Sequence, residues 1–219
     1  IPRDEGMTTQ EYAYLRLRNA VMVGALPPGT GLTFRGLAER LSLSPTPIRE
    51  ALRRLSSENA IQVLGNRRLR VPEMTLGRFE ELVELRITLE THAARRAFPY
   101  ISDIAIAQLT GLDDRMDQAL AGRDLDALTQ MNQEFHKALY RLNPDQATIP
   151  LIESIWLQLG PFQRQVIEHI DDFASADHHK EMLAAMHDRD LSALCAAIER
   201  DVHGGSIRAG RRMLLAAGS

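Results

Sequence analysis

Polar side chains with metal-binding or acid–base chemistry interrupt the apolar faces of helices predicted in the second half of the chain. Asn132 and His136 are four residues apart within an apolar stripe, so a helix places both side chains on one face, within reach of one atom. His179 precedes Met182 and Leu183 by three and four residues, which directs its imidazole toward the apolar side of another helix. These residues are therefore expected to face the interior.

Asp201 and Arg86 extend this inward-facing polar cluster. Asp201 follows Leu194 and Ile198 on the apolar side of the last predicted helix, and Arg86 lies among leucines in an earlier one. Buried charges are costly without partners, so the set predicts a ligand or metal pocket. Imidazoles with carboxylate or amide oxygens suit Zn, Ni or Mn. The alternative is that each residue is an ordinary core polar group that hydrogen-bonds to a neighbouring helix.

Helical periodicity continues from residue 76 almost to the end of the chain, without strand signals. Asp124 and Asp190 each precede a Leu-x-Ala-Leu segment and are expected to cap helices. The pattern predicts helices over residues 76–97, 103–121, 124–142, 147–170, 176–187 and 190–214. The second half is therefore predicted to be an all-helical bundle, which can hold a site among facing helices.

The stretch 43–55, LSPTPIREALRRL, has a different pattern. Pro45 and Pro47 suit the first turn of a helix, where a missing N–H is tolerated, and Ser44 or Thr46 is expected to cap its first amides. Apolar residues and arginines then alternate at helical spacing: Ile48, Ala51, Leu52 and Leu55, with Arg49, Arg53 and Arg54. A short helix with Leu37, Ala38 and Leu41 on its buried side is predicted before this one, and residues 41–44 form a tight turn between the two, which is the helix-turn-helix pattern.

Two short strands are predicted after the second helix of this motif, over residues 60–64 and 69–71. They flank the segment Gly-Asn-Arg-Arg, which is typical of a hairpin tip, and its arginines are placed to contact phosphates or a minor groove. The sequence thus predicts a mainly α protein. A winged helix-turn-helix occupies residues 1–75, and a helical bundle occupies residues 76–219.

The charge distribution differs between the two predicted domains. Residues 1–75 hold 11 Arg and 7 Asp+Glu, a net charge of +4, whereas residues 76–219 hold 15 Lys+Arg and 22 Asp+Glu, a net charge of −7. This asymmetry indicates that only the first domain meets a polyanion. The sequence has no apolar run of membrane-spanning length and no signal-peptide pattern, so a cytoplasmic protein without a membrane partner is expected.

Residues from about 11 to 72 resemble the winged helix of the GntR family of bacterial transcription regulators. The matching segments are GALPPG at 24–29, LAERL at 37–41 and SPTPIREALRRL at 44–55. The resemblance implies that Arg35, Thr46 and Arg49, with Arg67 in the wing, contact DNA. Pro45 stands where the family usually has arginine, and Arg68 where it usually has a wing glycine, so the operator sequence does not transfer from relatives.

The second half resembles the FCD ligand-binding domain of the FadR subfamily, in ELRITLE at 84–90, NQEFHKALY at 132–140 and HKEMLAAM at 179–186. Many members bind a divalent metal through Asp, His, His and His, and the metal helps to hold a small carboxylic acid. The resemblance places these ligands at Asn132, His136, His179 and Asp201. Two of these four residues differ from the family set, so effector binding with and without a metal both stay open.

Arg86 and Arg164 are candidates for pairing with an effector carboxylate, because guanidinium forms a bidentate fork. We therefore predict a homodimeric regulator, not an enzyme, that binds two-fold double-stranded operator DNA under the control of a small carboxylic acid. The alternatives are a metal-dependent enzyme built on His136, His179 and Asp201, or a metal sensor. The enzyme alternative lacks an evident general base beside the cluster and any nucleophile motif.

Overall fold

A computed structural model describes residues 6–64, 68–168 and 178–217. The described residues fall into two compact units, one within Ile1–Thr75 and Trp156–Gln165, the other within Leu76–Ile155 and Val166–Ser219. None of the described helices combines the length and apolarity that crossing a bilayer requires.

The first unit contains a helix-turn-helix with a small sheet, so this part of the predicted fold class is confirmed. Its elements are α1 (Thr9–Met22), β1 (Gly31–Leu32), α2 (Phe34–Leu41), α3 (Pro45–Ser57), β2 (Gln62–Leu64) and β3 (Arg68–Arg70). Helix α3 packs against α1 and α2 through a buried apolar face formed by Ile48, Ala51, Leu52 and Leu55. The opposite face of α3 carries the exposed residues Arg49, Glu50, Arg53 and Arg54.

The wing has one strand more than the sequence predicts. Strand β3 is central, with β1 and β2 antiparallel on its two sides, and Leu69 pairs with Leu32 and with Val63. Strand β1 has only two residues, too short for an alternating pattern to show. The hairpin tip, residues 65–67, lies outside the described residues.

The start of α3 is set by its prolines rather than by a side-chain cap. Ser44 has the extended backbone of an N-cap, but its side chain makes no capping hydrogen bond. A capping serine bonds to an amide two or three positions into the helix, and the third position is Pro47, which has no N–H. Pro47 removes the donor at the third position, and Ser44 makes no bond to the other candidate donor, the amide of Thr46, so the expected side-chain cap is absent.

A segment of helix α7 (Ile149–Ile167) belongs to the first unit, beyond the range 1–75 that the sequence indicates. A Cβ at Gly160 would lie 2.3 Å from the carbonyl oxygen of Met22, and a Cβ at Gly24 would lie 2.2 Å from the Cβ of Arg164. Gly24 also has a positive φ of 73°, a backbone conformation that residues other than glycine rarely adopt. Two glycines thus permit backbone contact between this segment and the end of α1.

The second unit is all-helical, as predicted. Besides its part of α7, it contains α4 (Leu76–Ala97), a 3₁₀ turn (Phe98–Tyr100), α5 (Asp103–Ala121), α6 (Leu125–Tyr140), α8 (His179–His187), α9 (Leu191–Val202) and α10 (Gly205–Ala217). Helix α4 packs against α6 and α9, and α5 packs against α6 and α8. These four helix pairs enclose the core that holds the polar cluster.

Two details of helix ends test the sequence-based interpretation. Asp124 and Asp190 accept hydrogen bonds from the amides of Ala127 and Ala193 at 3.0 and 2.8 Å, which confirms the predicted caps. The single helix predicted over 190–214 is wrong, because α9 ends at Val202 and α10 begins only at residue 205. The break falls at His203 and Gly204, directly before Gly205 at the start of α10, and glycine is unfavourable inside a helix.

We predict that Gly160→Ala destabilises the protein by about 1–3 kcal/mol, because the new methyl group meets the backbone of α1 and overpacks a close contact. Gly111→Ala is the matched control, since a Cβ there meets nothing within 4 Å, and it is expected to stabilise helix α5 by about 0.5–1 kcal/mol. Urea unfolding followed by circular dichroism measures both. Equal effects of the two substitutions would contradict the close packing of α7 on α1.

Candidate functional site

The second unit brings together all four residues proposed as metal ligands from the sequence. Helix α6 supplies Asn132 and His136, the first residue of α8 is His179, and Asp201 lies near the end of α9. The two Nε2 atoms of His136 and His179 are 3.3 Å apart, and Nε2 of His136 is 3.2 Å from Oδ2 of Asp201. Nε2 of His179 lies 4.0 Å from Oδ1 of Asp201 and 3.4 Å from the side-chain nitrogen of Asn132. We call these four residues the centre.

Both imidazoles of the centre are buried, and one aromatic ring packs against both. His136 is 0% and His179 3% exposed, and the ring of Phe135 packs against both, with centroid distances of 5.6 and 4.4 Å. Nδ1 of His179 faces away from the centre, 3.8 Å from Oδ1 of Asp113. The Nε2 atoms of both histidines are thus directed at the Asp201 carboxylate and at each other.

The ligand chemistry of the centre fits a divalent cation. His136, His179 and Asp201 each offer a ligand atom, and these atoms lie within 4.8 Å of one another. Facing Nε2 atoms beside a carboxylate require a proton or a cation between them, because a neutral imidazole nitrogen without hydrogen only accepts. The Asn132 amide, turned by 180°, presents its oxygen instead of its nitrogen. Two imidazoles, a carboxylate and an amide oxygen suit Zn, Ni or Mn.

Asp201 is held as an anion although it is buried. Burial acts to raise the pKa of its carboxyl group, but the hydrogen bond and charge of His136 and the charges of His179 and Arg86 hold that pKa well below its ordinary value. A carboxylate that stays ionised over the physiological pH range is available as a ligand for a cation.

A second buried network adjoins the centre, and it includes two residues that the sequence did not single out, Glu90 and Tyr140. Glu90 is 0% exposed. Nε of Arg86 donates to Oε1 of Glu90 at 2.5 Å, and the Tyr140 hydroxyl donates to Oε2 at 2.8 Å. Nδ1 of His136 lies 3.1 Å from the same hydroxyl. The available signal was spacing, since Glu90 is four residues after Arg86 and Tyr140 four after His136.

The electrostatics of this network keep Tyr140 and Arg86 in fixed protonation states. Burial and the neighbouring Glu90 raise the pKa of Tyr140 well above its ordinary value, so the phenol keeps its proton. Burial acts to lower the pKa of Arg86, but the charges of Glu90 and Asp201 raise it overall. The arginine is therefore a permanent buried cation beside the centre.

Arg86 retains hydrogen-bonding capacity after pairing with Glu90. Its side chain is 9% exposed, and its bond to Glu90 uses Nε. Within residues 6–64, 68–168 and 178–217, its two terminal nitrogens make no hydrogen bond. Two parallel N–H groups of one guanidinium match the two oxygens of a carboxylate. The other predicted effector arginine, Arg164, belongs to the first unit, where its Cβ lies against Gly24.

The residues that the resemblance assigns to DNA lie on the solvent-exposed side of the helix-turn-helix. Arg35 of α2 and both Thr46 and Arg49 of α3 are exposed. Arg35 forms a surface ion pair with Glu39 at 2.8 Å, and the Arg49 guanidinium lies 5.3 Å from the centre of the Phe34 ring. Arg67 lies outside the described residues.

One arginine of α3 has a structural role. The guanidinium of Arg54 lies 3.6 Å from the centre of the Tyr14 ring, and the Tyr14 hydroxyl donates to Glu58 at 2.6 Å. Burial, followed by that hydrogen bond, raises the pKa of Tyr14 to about 12. These contacts attach α3 to α1, so the basic face of α3 is not uniformly solvated. Arg49 is left as the exposed arginine nearest the start of the helix.

Comparison with known proteins identifies both units. Residues 9–71 match the family described as "Bacterial regulatory proteins, gntR family", and residues 81–204 match the "FCD domain". The chain is 31% identical over 177 residues to the Escherichia coli (strain K12) "HTH-type transcriptional regulator McbR", covering 80% of each protein. The chain belongs to the GntR family of bacterial transcription regulators. Its FCD domain fits the FadR-like subfamily, so the family predicted from the sequence motifs is confirmed.

Other relatives of this GntR-family regulator support the same assignment. A "Gluconate operon transcriptional repressor" of Bacillus licheniformis is 26% identical over 203 residues, covering 86% of this chain and 81% of the relative. The structure described as "E. coli McbR/YncC" has a TM-score of 0.84 and 26% identity, and the match covers 97% of this chain and 100% of that one. These relatives are transcription regulators, and they do not favour the enzyme alternative.

We predict that Glu90→Ala lowers the free energy of unfolding by about 3–5 kcal/mol, because it leaves the Arg86 charge buried without its carboxylate. The control is Glu84→Ala on the same helix, where the glutamate is exposed and its removal is expected to leave stability nearly unchanged. Chemical denaturation of both variants measures the difference. A loss at Glu90 no larger than the loss at Glu84 would show that the buried pair does not support the helical unit.

Proposed function

We propose that this GntR-family regulator binds two-fold operator DNA as a homodimer and that a small carboxylic acid, held at the centre, controls its DNA affinity. The single observation that carries this proposal is the convergence of Asn132, His136, His179 and Asp201 beside Arg86. A buried group of cation ligands next to an arginine that bonds to its described partner through Nε alone has the chemistry of a site for a cation and a carboxylate.

The DNA-binding part of the proposal rests on the helix-turn-helix. Arg35 is exposed on α2, and Thr46 and Arg49 are exposed near the start of α3, the end of a recognition helix that contacts base edges in such motifs. Arg67 of the wing is proposed as a phosphate or minor-groove contact. A dimer places two recognition helices about one DNA turn apart, which requires a two-fold operator. Because its proposed partner is chromosomal DNA, the proposed place of action is the bacterial cytoplasm.

The metal-binding part of the proposal assigns His136, His179 and Asp201 as ligands, with the amide oxygen of Asn132 as the fourth. A bound Zn, Ni or Mn would neutralise the Asp201 charge and offer its remaining coordination positions to an effector oxygen. The surrounding helices hold the two imidazoles in place and keep bulk water away from the centre, because both histidines are buried.

The effector part of the proposal assigns the carboxylate to the terminal nitrogens of Arg86. Arg164 remains a predicted effector contact, although it belongs to the first unit. Control of DNA binding requires that the acid bind the two states of the protein with different affinities. We propose a regulator without enzymatic activity. A metal sensor without an organic effector is the second candidate, and it predicts that metal alone changes DNA affinity.

We predict that Arg49→Ala weakens binding to DNA from upstream of the protein's own gene by about 1–3 kcal/mol, roughly 5- to 150-fold. Arg96→Ala is the control, because Arg96 is an exposed arginine of α4 in the other unit and its loss changes net charge equally. Fluorescence anisotropy at several salt concentrations measures both variants against a scrambled duplex. Equal weakening by the two substitutions would mean that α3 does not read DNA.

We predict that a hundredfold excess of Zn²⁺ over its dissociation constant stabilises the protein by about 2.7 kcal/mol, a rise in melting temperature of about 5–10 °C for a chain of this size. His136→Gln is expected to abolish this rise, whereas His187→Gln, which removes an exposed imidazole, should preserve it. Differential scanning calorimetry with Zn²⁺, Ni²⁺ and Mn²⁺ after chelator dialysis provides the measurement. An equal rise in both variants would place the bound metal elsewhere.

A further inference from the structure

The orientation of His136 raises a question that the ligand set alone does not answer. Its Nε2 faces the centre, and its Nδ1 faces the Tyr140 hydroxyl at 3.1 Å. An imidazole binds a metal through a nitrogen that carries no proton, and the hydrogen bond at the other nitrogen decides which nitrogen that is. The partner of Nδ1 therefore determines whether Nε2 can act as a ligand.

The Tyr140 hydroxyl has one hydrogen and two neighbours that compete for it. Glu90 is 0% exposed, and its Oε2 lies 2.8 Å from the hydroxyl oxygen. The other carboxylate oxygen accepts from Arg86 at 2.5 Å, so Glu90 accepts on both oxygens. An ionised carboxylate offers no proton to give back. The hydroxyl hydrogen therefore points to Glu90, and the hydroxyl oxygen is left to accept from His136.

We propose that Tyr140 and Glu90 are positioning residues that hold a proton on Nδ1 of His136, so that Nε2, which faces Asp201, is the nitrogen that exchanges its proton for a cation. The inference rests on the proposed function, because it concerns the orientation of a proposed metal ligand. A carboxylate or hydroxyl outside the ligand shell that accepts from a metal-binding imidazole fixes its ring and makes the ligand nitrogen more basic. Here the carboxylate acts through the intervening tyrosine.

The same carboxylate also orients the proposed effector residue. Glu90 fixes Nε of Arg86 with one oxygen and the Tyr140 hydroxyl with the other. One buried side chain thus aligns the arginine and, through tyrosine, the histidine. A continuous chain of hydrogen bonds runs from Arg86 through Glu90 and Tyr140 to His136. It ends at Nε2 of His136, 3.2 Å from Oδ2 of Asp201. A change in Glu90 is therefore expected to disturb both proposed binding groups.

The direct test is a long-range ¹H–¹⁵N spectrum of the histidine side chains in the metal-free chain with both units present. The His136 signals are assigned by their loss in His136→Gln. We expect a pyrrole-type Nδ1, the signature of a nitrogen that carries hydrogen. A pyridine-type Nδ1 would overturn the proposal, because the hydroxyl hydrogen would then point to His136. This spectrum needs neither a variant of Tyr140 nor bound metal.

A second test measures what the network contributes to metal binding. Tyr140→Phe removes only the hydroxyl oxygen, and we expect it to weaken Zn²⁺ binding by about 10–100-fold in isothermal titration calorimetry. Tyr100→Phe, at a residue that is 51% exposed, is the matched control and should bind as the unmodified chain does. Unchanged affinity in Tyr140→Phe would overturn the positioning role. Zn²⁺ that fails to bind the unmodified chain would instead refute the proposed metal site, while the spectrum still decides the Nδ1 proton.

Discussion

The buried charge of Glu90 is the constraint on which the helical unit depends. A carboxylate with no exposed surface is tolerated only with partners that satisfy both oxygens. Arg86 and Tyr140 provide these partners from the same helix and from α6. Each partner is thereby fixed in position beside the centre, so the packing of α4 against α6 and the placement of the proposed ligand-binding groups have one physical cause.

Helix geometry explains why the centre forms where three helices meet. A spacing of four residues puts Asn132 and His136 on one face of α6, directed toward α8 and α9. Asp201 stays ionised because the positive charges around it outweigh the cost of burial. Such an arrangement favours specific ligand binding over maximal stability, since apolar residues in the same places would avoid the desolvation cost. Such a loss of stability is expected at a ligand-binding site and not in a purely structural core.

Much of the fold and of the centre could be predicted from the sequence, because the spacing of apolar residues indicates which side of a helix faces the interior. The prolines and arginines of 45–54 indicated the recognition helix, and the phases of His136 and His179 indicated an inward cluster. Contacts between side chains on different helices could not be predicted in this way. Nothing in periodicity pairs Glu90 with Tyr140, which are fifty residues apart, or places Arg54 over the ring of Tyr14. These contacts depend on how helices pack, not on the pattern within one helix.

Three features of the backbone were missed for similar reasons. A two-residue strand such as β1 has no alternating pattern, and its pairing with β3 is a long-range contact. The chain divides into α9 and α10 next to two consecutive glycines. Apolar residues at helical spacing continue on both sides of them, so the pattern predicts one uninterrupted helix. The membership of Trp156–Gln165 in the first unit depends on backbone contact at Gly160, which no local pattern reveals. The ligand types of the centre can be predicted from the sequence, whereas the contacts that support these ligands are seen only in the structure.

We propose above that the centre holds a divalent cation through its imidazole nitrogens. X-ray absorption spectroscopy at the zinc edge, on protein loaded with one equivalent of Zn²⁺, tests this binding. We expect a first shell of nitrogen and oxygen with outer-shell scattering from two imidazole rings, and the loss of one ring's contribution in His179→Gln. A spectrum of hydrated zinc, without imidazole scattering, would contradict the proposed metal site.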